Sequence, residues 1–241
     1  MLTLEGVQVN FGGVQALKSA SFSVAEGESI GLVGPNGAGK TTLFNVISGV
    51  VRPTAGRLDF RGTSLMKLPE WKRARLGIGR SFQIPRPFGH CTVRENLLVA
   101  QRFGAGKKDP RRIDEILDIL NLRDKADRDA TSELALTEHK ALEVGKALAT
   151  EPSLLLLDEV LAGLETSSKR AFMERLAAVR DRYRLAMVII EHDIATIAAL
   201  CPRVLVLNFG QIIADGSPDA VFRDPDVIRS YTGETTLAEA S

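Results

Sequence analysis

Short apolar runs alternate with amphipathic segments along most of this chain. The run SIGLVG (29–34) lies between turn residues and is typical of a strand that is buried on both faces of a sheet. Two further runs, LLLLDE (154–159) and AMVIIEH (186–192), enclose the amphipathic helical pattern TSSKRAFMERLAAVRDR (166–182). Because apolar strands alternate with helices, the pattern predicts an α/β fold with a mainly parallel sheet.

The pattern changes near the N-terminus and in the middle of the chain. LTLEGVQV (2–9), ASFSV (20–24) and the turn-rich stretch 51–62 predict β-strands, whereas helical patterns dominate 90–150. We interpret the chain as one domain with an inserted helical part. Its expected parts are a core with a β subdomain over 1–85 and 151–232, a helical subdomain over 86–150, and a frayed polar tail over 233–241.

Composition narrows the classes of protein that fit this pattern. The 241 residues include 31 basic and 30 acidic side chains, so no global field favours nucleic acid or an anionic membrane. Cys91 and Cys201 form no metal-type spacing, which predicts two free thiols in a reducing compartment. The strand-like start leaves no room for a signal peptide, and no apolar run approaches the roughly 18 residues of a membrane span. We expect a soluble protein that can still dock on a membrane protein.

The first buried strand leads directly into a glycine-rich segment, GPNGAGKTT, which opens the helical pattern TTLFNVISG. Phosphate binding needs several N–H donors at one point, and glycines before a helix N-terminus supply them. Lys40 would reach the β- and γ-phosphates of a nucleotide, and the Thr41 hydroxyl would hold Mg²⁺. The predicted phosphate-binding loop (the P-loop) consists of Gly34, Pro35, Asn36, Gly37, Ala38, Gly39, Lys40, Thr41 and Thr42.

Two carboxylates, Asp158 and Glu159, end the run of four leucines. A buried strand places such residues at the carboxyl edge of the sheet, where α/β proteins bind ligands. Asp158 could hold Mg²⁺ through water, and Glu159 could polarise an attacking water. The alternative is a solvated strand end without function, which the P-loop in the same chain disfavours.

Three further residues are candidates with simpler alternatives. His192 ends the next apolar run, and a neutral histidine beside the strand of Asp158 can bond a γ-phosphate or hold the attacking water. Gln83 could coordinate Mg²⁺, although its local sequence indicates only a surface glutamine. Phe11 could stack on adenine, although an aromatic residue beside a glycine turn is more often packing.

These elements, together with the loop AGLE (162–165) and in this order, resemble the ATPase subunits of ABC transporters over nearly the whole chain. The resemblance implies a P-loop NTPase core with an N-terminal antiparallel β subdomain and an inserted helical subdomain. It also implies ATP and Mg²⁺ as cofactors, and ATP hydrolysis coupled to transport. In that family two subunits pair head to tail, and each ATP lies between one P-loop and the partner's LSGGQ segment.

The stretches 68–101 and 225–234 are similar to the ATPases of branched-chain amino acid transporters. This similarity implies a heterodimer with a second ABC ATPase subunit, two integral membrane permease subunits and a periplasmic solute-binding protein. The chain itself would be cytoplasmic and peripheral on the inner face of the cell membrane, with its coupling surface near Gln83 to Gln101. Relatives import urea, amides or aromatic acids, so the solute stays open.

One family element is degenerate, because LSGGQ aligns with Leu134–Glu138 and only the leucine matches. Ala135 lacks the serine hydroxyl, two glycines are replaced, and Glu138 adds a negative charge. The segment still predicts the start of a helix, with Thr137 as its N-cap. We therefore expect an asymmetric heterodimer whose better site uses this chain's P-loop. The AGLE loop departs from the family's usual SALD, with Glu165 in place of aspartate, at an element that the resemblance links to communication between the two sites.

Other functions fit this sequence less well. The strongest alternative is an ATP-binding dimerisation scaffold with little hydrolysis of its own, which the degenerate segment favours and Glu159 and His192 oppose. A soluble ABC protein of DNA repair or translation is disfavoured, since the chain has one P-loop and no heptads. A P-loop kinase is disfavoured because nothing resembles a phosphoryl-acceptor lid.

Overall fold

The structure, a computed structural model, describes residues 1–232, so the tail predicted over 233–241 lies outside the described residues. The strands are β1 (Leu2–Phe11), β2 (Val14–Val24), β3 (Ser29–Val33), β4 (Ala55–Phe60), β5 (Thr63–Ser64), β6 (Ile78–Arg80), β7 (Leu154–Asp158), β8 (Ala186–Ile190), β9 (Arg203–Asn208) and β10 (Gln211–Gly216). The helices are α1 (Lys40–Ser48), α2 (Glu70–Leu76), α3 (Val93–Gly104), α4 (Pro110–Ile119), α5 (Leu136–Ala149), α6 (Thr166–Tyr183), α7 (Ile194–Leu200), α8 (Pro218–Val221) and α9 (Pro225–Thr232). A short 3₁₀ helix spans Arg123–Lys125.

One sheet contains all of these strands, in the order β5-β4-β1-β2-β10-β9-β3-β8-β7-β6. The N-terminal strands β1, β2, β4 and β5 pair antiparallel, whereas β9, β3, β8, β7 and β6 pair parallel. The two halves meet where β2 and β10 pair at Ser19 and Gln211. The predicted α/β fold, with a mainly parallel core, an antiparallel N-terminal part and inserted helices, is confirmed.

Strand β3 lies inside the parallel half, where it has a parallel neighbour on each side. Each of its five residues is buried, as expected for a strand covered on both faces. Its neighbours are β8 on one side and β9 on the other, although both follow it by more than 150 residues in the sequence. The P-loop therefore emerges from a fully buried interior strand of the sheet.

The alternation of side chains along β7 divides the core into two layers. Leu155 and Leu157 pack into one cluster with the helices α3, α4 and α5. Leu154 and Leu156 pack into the other cluster with α1 and the N-terminal strands. The carboxylate that ends β7 is thus held between two close-packed layers.

Helix α2, which the sequence pattern did not predict, carries the fully buried Arg73. Its guanidinium donates to the carbonyl oxygens of Val46 (2.5 Å) and Ile47 (3.0 Å) at the end of α1, and to those of Leu65 (2.5 Å) and Leu68 (2.9 Å). Burial lowers the pKa of Arg73 to about 10. A cation at the C-terminal end of a helix interacts favourably with the negative end of the helix dipole. Arg73 therefore stabilises the C-terminal end of α1, the helix that follows the P-loop.

Candidate nucleotide-binding site

The glycine-rich segment forms a closed turn between β3 and α1. Gly39 has a φ of 106°, and a Cβ atom there would lie 2.7 Å from the carbonyl oxygen of Ala16. A Cβ atom on Gly34 would lie 2.0 Å from the carbonyl oxygen of Leu207. Only glycine fits at either position. No side chain caps the N-terminus of α1, so its first N–H groups are open to an anion.

A cavity of about 420 Å³ opens above this turn. Most of its lining belongs to the residues that the sequence predicted as phosphate-binding or catalytic. The lining residues are Val14, Gln15, Ala16, Lys18, Asn36, Gly37, Ala38, Gly39, Lys40, Thr41, Thr42, Glu159, His192 and Phe209. Gly34 and Pro35 lie outside the lining and act through their carbonyl groups.

Lys40, the first residue of α1, folds back across the loop. Its Nζ donates to the carbonyl oxygen of Gly34 at 2.7 Å and to that of Pro35 at 3.0 Å. Burial lowers the pKa of Lys40, and the carboxylates of Glu159 and Asp158 oppose that shift. A cation held among backbone N–H groups is suited to a polyphosphate.

Glu159 and His192 meet at the carboxyl edge of the sheet. Strands β7 and β8 are neighbours, as expected, and bring His192 Nε2 to 2.8 Å from Glu159 Oε1. The other carboxylate oxygen accepts a hydrogen bond from the side-chain amide of Gln83. Both oxygens of Glu159 are thereby oriented by side chains from separate segments, and the carboxylate lines the cavity. A carboxylate held in this way can accept a proton from an attacking water.

Lys140, on α5, joins the same two segments through their backbones. Its buried Nζ donates to the carbonyl oxygens of Gln83 at 2.6 Å and of Glu159 at 3.1 Å. Burial lowers its pKa, and Glu191 is the strongest of the nearby carboxylates that oppose the shift. The sequence pattern placed Lys140 only on a helix, and no local signal indicated this contact.

Asp158 is buried and faces an arginine on the neighbouring strand β6. Arg80 lies 3.3 Å from the Asp158 carboxylate and also donates to Asn45 Oδ1 (2.6 Å) and Ser48 Oγ (3.0 Å) on α1. Burial raises the pKa of Asp158, and the guanidinium of Arg80 opposes that shift. The sequence analysis missed Arg80, whose only signal was a basic residue at the end of a short β-like stretch.

Of the three residues predicted to hold Mg²⁺, Thr41 lines the cavity, whereas Gln83 contacts Glu159 and Asp158 contacts Arg80. Within residues 1–232, no group of three or more His, Cys, Asp and Glu side chains could hold a metal ion by itself. Mg²⁺ keeps several waters and uses one or two protein ligands together with phosphates, so a hydroxyl and a carboxylate beside a phosphate loop fit it.

Phe11, predicted to stack on adenine, ends β1 and is half exposed. It is not among the cavity-lining residues, whereas its cross-strand partner Val14 is. Phe209, a residue for which the sequence predicted no role, is the phenylalanine in the lining.

The degenerate segment 134–138 leads into α5. The expected N-cap at Thr137 is wrong, because the helix begins at Leu136 with Ala135 as its N-cap. The carboxylate of Glu138 accepts a hydrogen bond from the backbone N–H group of Ala135 at 2.8 Å. This bond caps the helix at Ala135, two residues before Thr137. Leu136 lies against the AGLE loop, since a Cβ atom on Gly163 would be 3.4 Å from its Cδ2 atom.

Comparison with known proteins supports one family. The family model "ABC transporter" matches residues 17–162, and the model "Branched-chain amino acid ATP-binding cassette transporter" matches residues 211–235. The chain is 37% identical to the high-affinity branched-chain amino acid transport ATP-binding protein LivG of Salmonella typhimurium, over 97% of this chain and 98% of LivG. It is 35% identical to BraF of Pseudomonas aeruginosa, which has the same description, over the same shares of the two chains.

A solved structure gives the same result. The ADP conformation of an ATP-binding cassette of an ABC transporter superposes with a TM-score of 0.86 at 30% identity, over 97% of this chain and 99% of the other. No helix within residues 1–232 has the length and hydropathy needed to cross a membrane. The chain therefore belongs to the ABC transporter family, as one of its ATP-binding and ATP-hydrolysing subunits.

Proposed function

We propose that this subunit energises an importer for branched-chain amino acids or related small solutes. The observation that carries the proposal is the contact of Glu159 with His192 at the rim of the P-loop cavity. Intact catalytic side chains favour an enzyme over a passive binding module. The names of LivG and BraF, and the match over residues 211–235, support the solute class.

The roles of the side chains follow from their chemistry. Lys40 and the N–H groups of the P-loop, which line the cavity, would bind the β- and γ-phosphates, and Thr41, with Asp158 and Gln83, would hold Mg²⁺. Bound Mg²⁺ supplies neutralisation of phosphate charge. Glu159 orients the attacking water and takes its proton, while His192 keeps that carboxylate and the γ-phosphate aligned.

The remaining components are inferred from the family. A second ABC ATPase subunit, two integral membrane permease subunits and a periplasmic solute-binding protein complete the system, and this chain lies on the cytoplasmic face of the membrane. The surface near Gln83 to Gln101 receives the permease. Exposed apolar side chains at Ile84 (68%) and Phe88 (43%) support docking beside Gln83.

The segment over 134–138 makes the pair of ATPase subunits asymmetric. Its Glu138 carboxylate lies at the N-terminal end of α5, which would face the partner's γ-phosphate, and the two negative charges would repel each other. This chain's own ATP instead relies on the partner's segment. The same observation favours a second candidate function, a dimerisation scaffold with little hydrolysis of its own.

The test is steady-state ATP hydrolysis by the purified chain, alone and mixed with its cognate partner subunit, beside Glu159→Gln. Activity mainly in the mixture, and its loss in Glu159→Gln, would support the catalytic half-partner. Equal activity from the chain alone would contradict the asymmetry. No activity in either sample would favour the scaffold.

A further inference from the structure

The hairpin turn between β9 and β10 contains a residue that its backbone disfavours. Phe209 and Gly210 form this two-residue turn, with φ angles of 42° and 76°. Positive φ at both positions is the requirement of a type I′ turn, for which Asn-Gly is strongly preferred. A bulky aromatic residue at positive φ is strained, and Phe209 is 73% exposed, so it gains little from packing. Its side chain therefore works against the local backbone preference.

The backbone holds this turn against the P-loop. The N–H group of Gly210 donates to the carbonyl oxygen of Ala38 at 2.9 Å, and the carbonyl oxygen of Gly210 accepts from the N–H group of Lys18 at 2.9 Å. A Cβ atom on Gly210 would lie 2.7 Å from the carbonyl oxygen of Ala16, so only glycine allows this close contact between the turn and β2. The strained aromatic residue thus has a fixed position at the mouth of the cavity.

The cavity has a polar part and an apolar part. Its P-loop residues suit a triphosphate, whereas Val14 and Ala16 on β2 and Phe209 in the β9–β10 turn supply an apolar surface outside the loop. Val14 is 68% exposed, so two large apolar side chains flank the region beyond the phosphates. A nucleobase has an apolar face that stacks on aromatic rings. Phe11, the aromatic residue singled out by the sequence, is not in this lining.

We propose that Phe209 packs on the base of the bound ATP and so serves as an aromatic determinant of nucleotide affinity. This inference rests on the proposed function, since it assigns a role within the same ATP site. Phe209 touches the nucleoside and takes no part in the chemistry of hydrolysis.

The first experiment separates affinity from stability with Phe209→Asn. Asparagine suits the type I′ turn, so the thermal midpoint of the nucleotide-free protein should rise. The Kd for MgATP should increase by about tenfold, the scale of one lost base-stacking contact, while the Kd for magnesium tripolyphosphate stays unchanged. A merely structural residue would not move stability and affinity in opposite directions. An unchanged Kd for MgATP would overturn the inference. If the Kd stayed unchanged while hydrolysis by the mixed subunits fell, Phe209 would be assigned to a contact with the partner subunit, and the inference would again be overturned.

The second experiment places a fluorescent probe at the site. The chain has one tryptophan, Trp71, so Trp71→Phe gives a background for Phe209→Trp and, as the matched control, for Phe11→Trp. MgATP, but not magnesium tripolyphosphate, should quench the probe at position 209. A response only at position 11 would overturn the inference. If the wild-type protein bound neither MgATP nor tripolyphosphate, the proposed function would itself be wrong, and the inference would fail with it.

Discussion

Arg80 faces Asp158 across two neighbouring strands at a distance of 3.3 Å, and both side chains are more than 90% buried. Arg80→Met would leave the Asp158 carboxylate buried without its cation, so the free energy of unfolding should fall by about 3 kcal/mol. Urea denaturation of the nucleotide-free protein measures this change. Asp158→Asn in the Arg80→Met background should recover part of the loss, because the uncompensated charge is removed.

The matched control for Arg80→Met is Lys107→Met. Lys107 pairs with Glu151 at 2.7 Å, but the lysine side chain is 63% exposed, so its loss should change the free energy of unfolding by less than about 1 kcal/mol. Equal effects of Arg80→Met and Lys107→Met would show that the Arg80–Asp158 pair contributes no more than a surface pair.

Glu138→Gln should raise ATP hydrolysis by the isolated chain. Glutamine keeps an oxygen that can accept the N–H group of Ala135 but removes the charge that would lie near the partner's γ-phosphate. About fivefold is expected, the rate equivalent of roughly 1 kcal/mol between partly screened charges. The control is Glu133→Gln, whose carboxylate pairs with Arg128 before the helix begins. An equal rise in both variants would point to a general charge effect.

Lys169 and Asp193 should make the stability of the protein depend on acid pH. The pKa of Asp193 is lowered from 3.8 to about 2. The largest cause is the hydrogen bond from Lys169 Nζ (2.6 Å), and the second largest is the hydrogen bond from Thr196. A carboxyl with a lowered pKa stabilises the fold above its ordinary pKa, and this contribution is lost as the pH falls through the folded-state value. The thermal midpoints of the wild type and Lys169→Met should therefore differ near neutral pH and converge towards pH 2.

Arg170→Met is the control for that pH series. The next residue along the same helix, Arg170, pairs with Glu174, and both side chains are largely exposed. Its loss should leave the acid profile of the wild type unchanged. Parallel profiles of the wild type and Lys169→Met down to pH 2 would contradict the assignment to Asp193.

Gly31→Ala should destabilise the protein. A Cβ atom at this position of β3 would lie 2.5 Å from Ile197 Cγ2 on α7, which is too close for the stiff β-branched side chain to accommodate. The free energy of unfolding should fall by about 1–3 kcal/mol. In the double variant with Ile197→Ala, the loss of unfolding free energy should be smaller than the sum of the losses in the two single variants. The control is Gly89→Ala, which should be nearly neutral because a Cβ atom there would have no other atom within 4 Å. Strict additivity would argue against the clash.

The elements that leave a pattern within a short stretch of sequence could be predicted from the sequence alone. The run 29–34 and the glycines after it predicted β3, the P-loop and α1, because burial on both faces and a helix N-terminus leave a strong local pattern. The adjacency of β7 and β8 was predictable from the same rule, and with it the proximity of Glu159 to His192.

The contacts that the sequence did not predict join residues far apart in the chain. Arg80 and Asp158 are 78 residues apart, and Lys140 reaches the carbonyl of Gln83 across 57 residues. Neither contact has a pattern of its own, since each depends on how the helices pack on the sheet. Thr137 was mistaken for an N-cap because the reciprocal bond of Glu138 to the preceding backbone outweighs the local preference for threonine.

The interior position of β3, between two strands from the far end of the chain, has a consequence for the newly made protein. Its partners β8 and β9 are translated about 150 and about 170 residues later, which takes roughly 8–34 s at elongation rates of about 5–20 residues per second. Until then an apolar strand with two unpaired edges is exposed on the nascent chain, and such strands invite pairing with other chains. Chaperone occupancy should therefore persist on ribosome-bound chains until β9 has emerged, whatever the stability of the finished protein.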